Sequence, residues 1–447
     1  MEPLRGQLGR SRRLSLLLRN AVVRGERTSV LIDGERIAAV GGDHAADETI
    51  GLGGAELLPG FVDTHTHLGW AGRALFRVDW SGGPSLDEVR RARRYTGTAF
   101  WLLGGGFDSN AELPSQVELD DASDGAPAFL VSDDQSLAFV NSRASDLMHL
   151  YESLVVPDDG RLYGGDARGM PTALVIPPPD RHRLRAELAA ALAELPRHGI
   201  TEAHDIATFP GEPEPPEVFW ERSYTDATLF SELELPVRIQ IRPSLHRRHE
   251  FLGDSRIHGL KLFAQGGSGR RPGVTFRYPG REVATAWIQE AHDARIPVSV
   301  HSLRTHDVEE TLSVFEGVSN VTAVRHRLVH AYDLAPGQVE RIARLGLTVE
   351  AQPVGNAGEG IRGPWRELLD AGVPVEFSSD WRDASFAELD PLRGVQIAVA
   401  HGLTRDEALR CYSRGTVRPG APADLVALDD DGVLLTICAG SETYRRR

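Results

Sequence analysis

Two histidines lie one residue apart in the run Gly60-Phe61-Val62-Asp63-Thr64-His65-Thr66-His67. The run predicts a β-strand, in which residues i and i+2 point to the same face. The imidazoles of His65 and His67 can then reach one metal ion. Because two histidines at this spacing also occur by chance, the pair indicates a metal site only together with further ligands.

The single lysine of the chain is a second residue whose type suggests chemistry. Among 49 lysines and arginines, only Lys261 is a lysine. Its apolar neighbours Leu260 and Leu262 predict a buried strand, where an ammonium group would cost free energy. A primary amine can lose its proton, act as a nucleophile or be carbamylated, and a carbamylated lysine is an anion able to bridge two cations. The alternative to a chemical role is that one lysine remains by chance in an arginine-rich chain.

Three further polar residues, His301, His330 and Asp380, each end an apolar, β-rich run. Taken singly, each could be a polar core residue whose hydrogen bonds are satisfied. Together with the residues above, they place six groups at the ends of five strands, and this set predicts a site for two metal ions. In chain order the set is His65, His67, Lys261, His301, His330 and Asp380.

The runs that carry these residues alternate with helix-like segments. The β-rich runs fall at 60–66, 199–206, 236–243, 257–264, 296–301, 325–330, 347–352 and 373–380. The helix-like segments that separate the later runs fall at 281–294, 307–315, 335–345 and 389–401. Eight strands alternating with helices predict an α/β fold, a (β/α)8 TIM-type barrel, in which active sites lie at the carboxyl ends of the strands. The gap from about 70 to 178 is too long for one crossover and predicts an inserted subdomain.

The two ends of the chain predict structure outside the barrel, which we expect at 58–415. Residues 1–13 are polar and arginine-rich, and we expect a disordered tail there. Short β-like runs occupy 14–57, and a related pattern returns at 416–447. We therefore expect the two ends to complete one β domain together.

Composition narrows the class of protein. Hydrophobic residues make up 41% and charged residues 25% of the chain, as in ordinary globular proteins. The net charge of -15 disfavours nucleic acid and anionic lipid as partners. Two cysteines cannot form a disulfide framework, which favours a reducing, cytoplasmic location. No stretch approaches the ~18 apolar residues of a membrane helix.

The sequence resembles the amidohydrolase superfamily, and within it amidohydrolase family 3, from about Leu16 to Asp430. The resemblance implies a (β/α)8 barrel with a small composite β-sandwich made from both termini. Its motifs lie at 58–68, 129–142, 199–201, 261–263, 325–328, 379–381 and 419–425.

The resemblance also implies a role for each of the six groups. His65 and His67 would bind one metal ion, His301 and His330 the other, and carbamylated Lys261 would bridge them. Asp380 would bind the first ion and shuttle a proton. One or two divalent ions, zinc by default for a histidine-rich site, would activate a hydroxide that hydrolyses a C–N bond in a non-peptide or cyclic amide.

The sequence signals for substrate contacts are less specific than those for the six groups of the predicted metal site. Arginines after predicted strands could bind a carboxylate or phosphate, or could be solvated loop charges. The sequence also departs from the family pattern, with Gln265 in place of an Asp, Ser136 in place of a His, and Val329 and Ile176 in place of Glu. These positions shape the substrate pocket, so the departures put the identity of the substrate in doubt. The candidate contacts are Trp70, Asp108, Asp134, Gln265, Arg270, Arg304 and Trp381.

Other functions stay open on the same scaffold. They include deamination, ester or carbamate hydrolysis, lyase or isomerase chemistry, and a catalytically silent binding module. A silent relative typically loses ligands, and none of the six is missing here. We expect a small-molecule substrate, no nucleic-acid or membrane partner, and a chain that can form a homodimer.

Overall fold

The computed structural model describes residues 15–134, 136–150, 156–163, 175–176, 180–206, 229–255, 257–263, 278–358, 360–382 and 384–447. The tail predicted at 1–13 lies outside the described residues, as do Gln265 and Arg270. The chain forms two compact units. The first, the large unit, runs to Leu68 and includes Leu192–Trp381 and Ser385–Arg447, and the second, the small unit, comprises Gly69–Ala191 and Arg382–Ala384.

Strands and helices alternate along most of the described chain. The strands are β1 (Leu16–Val23), β2 (Glu26–Asp33), β3 (Arg36–Val40), β4 (Glu48–Gly51), β5 (Glu56–Pro59), β6 (Phe61–Thr66), β7 (Arg77–Asp79), β8 (Leu102–Phe107), β9 (Ala128–Ser132), β10 (Leu137–Val140), β11 (Arg161–Tyr163), β12 (Ile200–Asp205), β13 (Arg238–Ile241), β14 (Leu260–Phe263), β15 (Val298–Ser302), β16 (Arg327–His330), β17 (Thr348–Ala351), β18 (Val375–Phe377), β19 (Leu425–Asp429), β20 (Gly432–Cys438) and β21 (Ser441–Arg445). The helices are α1 (Leu68–Leu75), α2 (Leu86–Thr96), α3 (Gln116–Ser123), α4 (Ser142–Met148), α5 (Arg181–Glu194), α6 (Arg248–Phe251), α7 (Arg281–Asp293), α8 (Thr305–Glu316), α9 (Gln338–Arg344), α10 (Pro353–Gly358), α11 (Trp365–Asp370), α12 (Pro391–Ala400) and α13 (Arg405–Cys411).

Eight parallel strands form the centre of the large unit, and each of the eight predicted β-rich runs overlaps one of them. They make a three-stranded sheet in the order β13-β12-β6 and a five-stranded sheet in the order β14-β15-β16-β17-β18. Isolated parallel bridges connect Ser244 with Lys261 and Thr66 with Trp381, between the two sheets. All residues of β6 and of β17 are buried, as expected for parallel strands covered on both faces. The large unit is therefore an α/β structure of the TIM type.

The helices of this unit follow the predicted segments, because their apolar residues recur at helical spacing. Helix α7 buries Ala284, Ile288 and Ala291, which lie on one face. Helix α12 begins with Pro391 after the N-cap Asp390, whose carboxylate accepts a hydrogen bond from the N–H of Leu392.

Strands from both ends of the chain share one sheet. Its order is β21-β20-β19-β5-β1-β2-β3, and β4 pairs with β1. Residues from both ends meet in its core, for example Leu18 and Ile32 with Leu425 and Ile437, all at most 1% exposed. Strand β21 forms one edge of this sheet and lies within 416–447, where the sequence predicts β structure.

The small unit contains a five-stranded sheet in the order β11-β10-β9-β8-β7. Helix α3 begins with a capping box in which Ser115 and Glu118 bond each other's backbone N–H groups. Glycine-rich β8, Leu102–Phe107, could not be predicted from the sequence because it lacks an alternating apolar pattern.

Two further findings concern the helices and the cysteines. Among the described residues, no helix is both long and apolar enough to cross a lipid bilayer. Cys411 and Cys438 are both buried and free.

Candidate metal centre

Three predicted ligands come together where β6 and β18 end. His65 lies on β6, His67 follows this strand, and Asp380 follows β18. The Nε2 atoms of His65 and His67 lie 3.5 and 3.2 Å from the same Asp380 Oδ1. One ligand atom from each residue lies within 4.8 Å of the others. The three side chains therefore form a buried cluster with the size of a metal site.

The backbone holds Asp380 in this position. Its N–H donates to the carbonyl of His65 at 2.8 Å. Its φ of 56° lies in the left-handed region, which non-glycine residues rarely adopt and which clusters at functional sites. The N–H groups of His65 and Ser379 both donate to the Asp63 Oδ1, at 3.2 and 3.0 Å.

His330 extends the cluster toward His301. Its ring centroid lies 5.5 Å from that of His65, and its Nε2 lies 2.8 Å from the His301 Nδ1. Gln352 donates to the Ser378 Oγ, so its Oε1 accepts from the His330 Nδ1 at 2.7 Å. This arrangement leaves the lone pair of His330 on Nε2, which faces the site. The φ of His330, 75°, also lies in the left-handed region.

Lys261 lies on β14 near both histidine pairs. The side chain is 2% exposed, and its Nζ has no hydrogen-bond partner among the described residues. Burial lowers the pKa of the amine from its ordinary 10.5 to about 7. The charge of Lys261 lowers the pKa of both His65 and His301. Near neutral pH, much of the amine is uncharged and carries the free electron pair with which amines react with carbon dioxide.

The donor atoms fit a divalent metal. Burial, with Lys261, holds the pKa of His65 well below its usual range, and burial, with His330, does the same for His301. Both imidazoles are therefore neutral, as metal ligation requires. The His301 Nε2 is buried and has no hydrogen-bond partner among the described residues. Neutral imidazoles, one carboxylate and an unpartnered amine form a set that suits zinc or a similar ion.

A buried carboxylate that the sequence analysis did not select lies against this cluster. Glu350, on β17, is fully buried, and its Oε2 lies 3.8 Å from the His65 Nδ1. Its Oε1 accepts hydrogen bonds from the Nη1 atoms of Arg242 and Arg327, at 2.6 and 2.7 Å. Burial raises the pKa of this carboxyl, but the two arginines outweigh burial and hold it well below its usual range. Glu350 is therefore an anion.

The arginines beside Glu350 have further partners. Arg242 donates to the Ser299 Oγ at 3.0 Å and contacts the His204 Nδ1. Arg327 also donates to the Glu376 Oε2 at 2.5 Å. Thus an ionic network of two arginines and two glutamates ends beside the predicted metal ligand His65.

The predicted substrate contacts fall in different places. Trp381 is fully buried beside Asp380, and the half-buried Arg304 precedes helix α8. Trp70, half-buried, and the exposed Asp108 and Asp134 belong to the small unit.

The two aspartates of the small unit make local contacts. The Asp108 carboxylate accepts from the N–H of Asn110 at 2.8 Å. Hydrogen bonds from Ser136 and Ser132 hold the pKa of Asp134 well below its usual range. Neither contact indicates a ligand.

Sequence reasoning missed Asp63, Gln352 and Glu350 as residues that support the site. A signal existed for Glu350, because a charged residue interrupts the apolar strand Thr348–Ala351. The same argument selected Lys261. For Gln352 no sequence signal existed, since its role depends on the distance to His330.

Comparisons with known proteins identify the family to which this chain is similar. A model of the amidohydrolase family matches residues 48–436. The chain is 24% identical to the putative amidohydrolase YtcJ of Bacillus subtilis, and the match covers 86% of each protein. It is 27% identical to the N-substituted formamide deformylase of Arthrobacter pascens, over 91% of this chain and 90% of the relative.

Solved structures share the fold. An uncharacterized metal-dependent hydrolase from Pyrococcus horikoshii OT3 superposes with a TM-score of 0.59 at 19% sequence identity. The superposition covers 93% of this chain and 98% of that structure.

Proposed function

This chain belongs to the amidohydrolase family of hydrolases, and we propose that it hydrolyses a carbon–nitrogen bond of a small non-peptide amide with the help of a divalent metal. The observation that carries the proposal is the contact of His65 and His67 with Asp380, continued through His330 to His301. The named activity of the formamide deformylase relative supports the choice of an amide over an ester.

The fold that we propose for the large unit is a closed (β/α)8 barrel joined to a composite β-sandwich from both termini. The parallel bridges between the two sheets support closure. Asp424, just before β19, accepts hydrogen bonds from Arg238 of β13 at 3.0 and 3.2 Å. This ion pair joins the terminal sheet to the strands that carry the site.

We propose that His65, His67 and Asp380 would hold one zinc ion, and His301 and His330 a second. Lys261, once carbamylated, would bridge them, and its neutral amine in a buried position supports that modification. A bound divalent metal would supply an acidified water and would polarise the scissile carbonyl.

Asp380 is the residue that we propose to move the proton. Its carboxylate lies beside the Nε2 atoms of His65 and His67 and is 9% exposed, more than His65 at 1%. It can accept a proton from the attacking water and donate it to the leaving nitrogen. Arg304 is a candidate for an anionic group of the substrate.

Metal analysis and product analysis test the proposal. We expect the wild-type protein to hold one or two equivalents of zinc, and the Lys261→Ala variant to hold less. Asp380→Asn should fold and retain metal but lose turnover of an N-formyl amine at least 100-fold, because it cannot accept the proton. A wild-type protein that takes up no zinc in the presence of bicarbonate, or an active Asp380→Asn variant, would overturn the proposal.

A further inference from the structure

Two buried polar atoms face each other at the edge of the metal centre. The Glu350 Oε2 and the His65 Nδ1 are 3.8 Å apart, and neither has a hydrogen-bond partner among the described residues. A buried polar atom that makes no hydrogen bond destabilises the fold. Pairing with the arginines uses only the other oxygen, Oε1, and leaves Oε2 directed at His65.

We propose that Glu350 is a positioning residue that holds His65 in the tautomer which presents Nε2 to the metal; this rests on the proposed function. The carboxylate attracts a proton to Nδ1, and the lone pair then lies on Nε2. Nε2 is the atom that faces Asp380, at 3.5 Å. Carboxylates that hold metal-binding histidines in this manner tune metal affinity by about 10–100-fold.

The surroundings keep Glu350 in place. Arg327 of β16 and Arg242, which follows β13, both donate hydrogen bonds to Oε1, and Arg242 also donates to the Ser299 Oγ. The Glu350 side chain therefore cannot rotate away from His65 without breaking two charge-assisted hydrogen bonds. The position of Oε2 is therefore set by the network, independently of whether a metal is bound.

Glu376 offers a matched control. It lies opposite Glu350 in the register of β17 and β18, and it accepts a hydrogen bond from the same Arg327 Nη1. Its second partner is Arg414, at 3.2 Å, and no contact with a predicted ligand is found among the described residues. Both glutamates balance the charge of the network, but only Glu350 reaches His65.

The experiment compares zinc affinity in Glu350→Gln and Glu376→Gln, measured by competition with a chelator, with thermal unfolding as a check on folding. In Glu350→Gln the amide oxygen can still accept from the arginines, so its NH2 group faces His65 and moves the imidazole proton to Nε2. We expect a 10–100-fold weaker affinity in this variant and less than a 3-fold change in Glu376→Gln. The visible absorption spectrum of bound Co²⁺ should change in Glu350→Gln alone.

A second variant covers a failure of Glu350→Gln to fold. Glu350→Asp keeps the negative charge between the arginines but withdraws the carboxylate from His65 by one methylene group. It should fold and bind zinc more weakly than the wild type.

The outcomes separate this inference from the proposed function. If the wild type binds zinc and Glu350→Asp binds it equally well, or if both glutamine variants lose affinity equally, the positioning role is wrong and the hydrolase stands. If the wild type itself binds no zinc, the proposed function fails and the positioning role falls with it.

Discussion

The Asp63 carboxylate accepts a hydrogen bond from the backbone N–H of Ser379, 3.0 Å away, although 316 positions separate the two residues in the chain. The same oxygen accepts from the N–H of His65 at 3.2 Å. One buried side chain therefore fixes the backbone before Asp380 relative to the backbone of His65. The distance between these two predicted ligands depends on it.

We predict that Asp63→Ala loses about 2–6 kcal/mol of stability, because two buried N–H donors are left without an acceptor. Asp63→Asn should retain the fold to within about 1 kcal/mol, since the amide oxygen can accept both hydrogen bonds. Burial raises the pKa of Asp63 to about 7, so the neutral amide resembles the protonated form of this acid. Denaturant unfolding and zinc content measure the two effects.

The two substitutions distinguish a positioning role from a need for charge. Zinc content should fall in Asp63→Ala and stay near the wild-type value in Asp63→Asn. Equal loss of zinc in both variants would show that the charge of Asp63, and not its hydrogen bonds, is what the site requires.

A second prediction concerns the pH dependence of stability. Burial raises the pKa of Asp205 from its ordinary 3.8 to about 7. The folded protein then holds a proton between these pH values that the unfolded chain releases, so this group stabilises the fold at low pH. That stability is lost as the pH rises toward 7. Asp205→Asn should flatten this loss, because the amide does not titrate and can still accept from the N–H of Leu68.

Unfolding midpoints of the wild type and Asp205→Asn, measured from pH 4.5 to 8, test this. As the pH rises, the free energy of unfolding of the variant should increase relative to that of the wild type, by an amount of the order of a few kcal/mol. Asp431→Asn, at an exposed position, is the control and should follow the wild type throughout. A constant difference between Asp205→Asn and the wild type at all pH values would contradict the prediction.

The candidate ligands were easier to predict from the sequence than the residues that hold them in place. His65, Lys261 and Asp380 could be found because each interrupts or ends an apolar run, and the carboxyl ends of parallel strands converge. The eight central strands were predictable for the same reason, since buried parallel strands form continuous apolar runs. Local pattern was enough at these positions.

The residues that hold the candidate ligands in place could not be predicted, because their roles depend on distances in space that a sequence pattern does not contain. Gln352 matters because its Oε1 lies 2.7 Å from His330, and Glu350 because it reaches His65. The left-handed backbone at His330 and Asp380 is likewise imposed by neighbouring strands, since neither residue type favours φ values of 75° and 56° strongly enough to predict them.

Gly72 gives a last prediction, on the packing of the small unit. This residue lies in helix α1, where alanine would ordinarily stabilise a helix over glycine by about 1 kcal/mol. A Cβ at Gly72, however, would lie 2.1 Å from the backbone oxygen of Glu187 in helix α5. Relieving that clash requires a backbone shift, which costs about 1–3 kcal/mol or more and exceeds the gain in helix propensity. Gly72→Ala should therefore lower the unfolding temperature and speed proteolysis of the small unit.

In the same unit, a Cβ at Gly82 would meet no atom within 4 Å, so Gly82→Ala should change stability by less than about 0.5 kcal/mol. A Gly72→Ala protein as stable as Gly82→Ala would show that helices α1 and α5 do not pack this closely in solution.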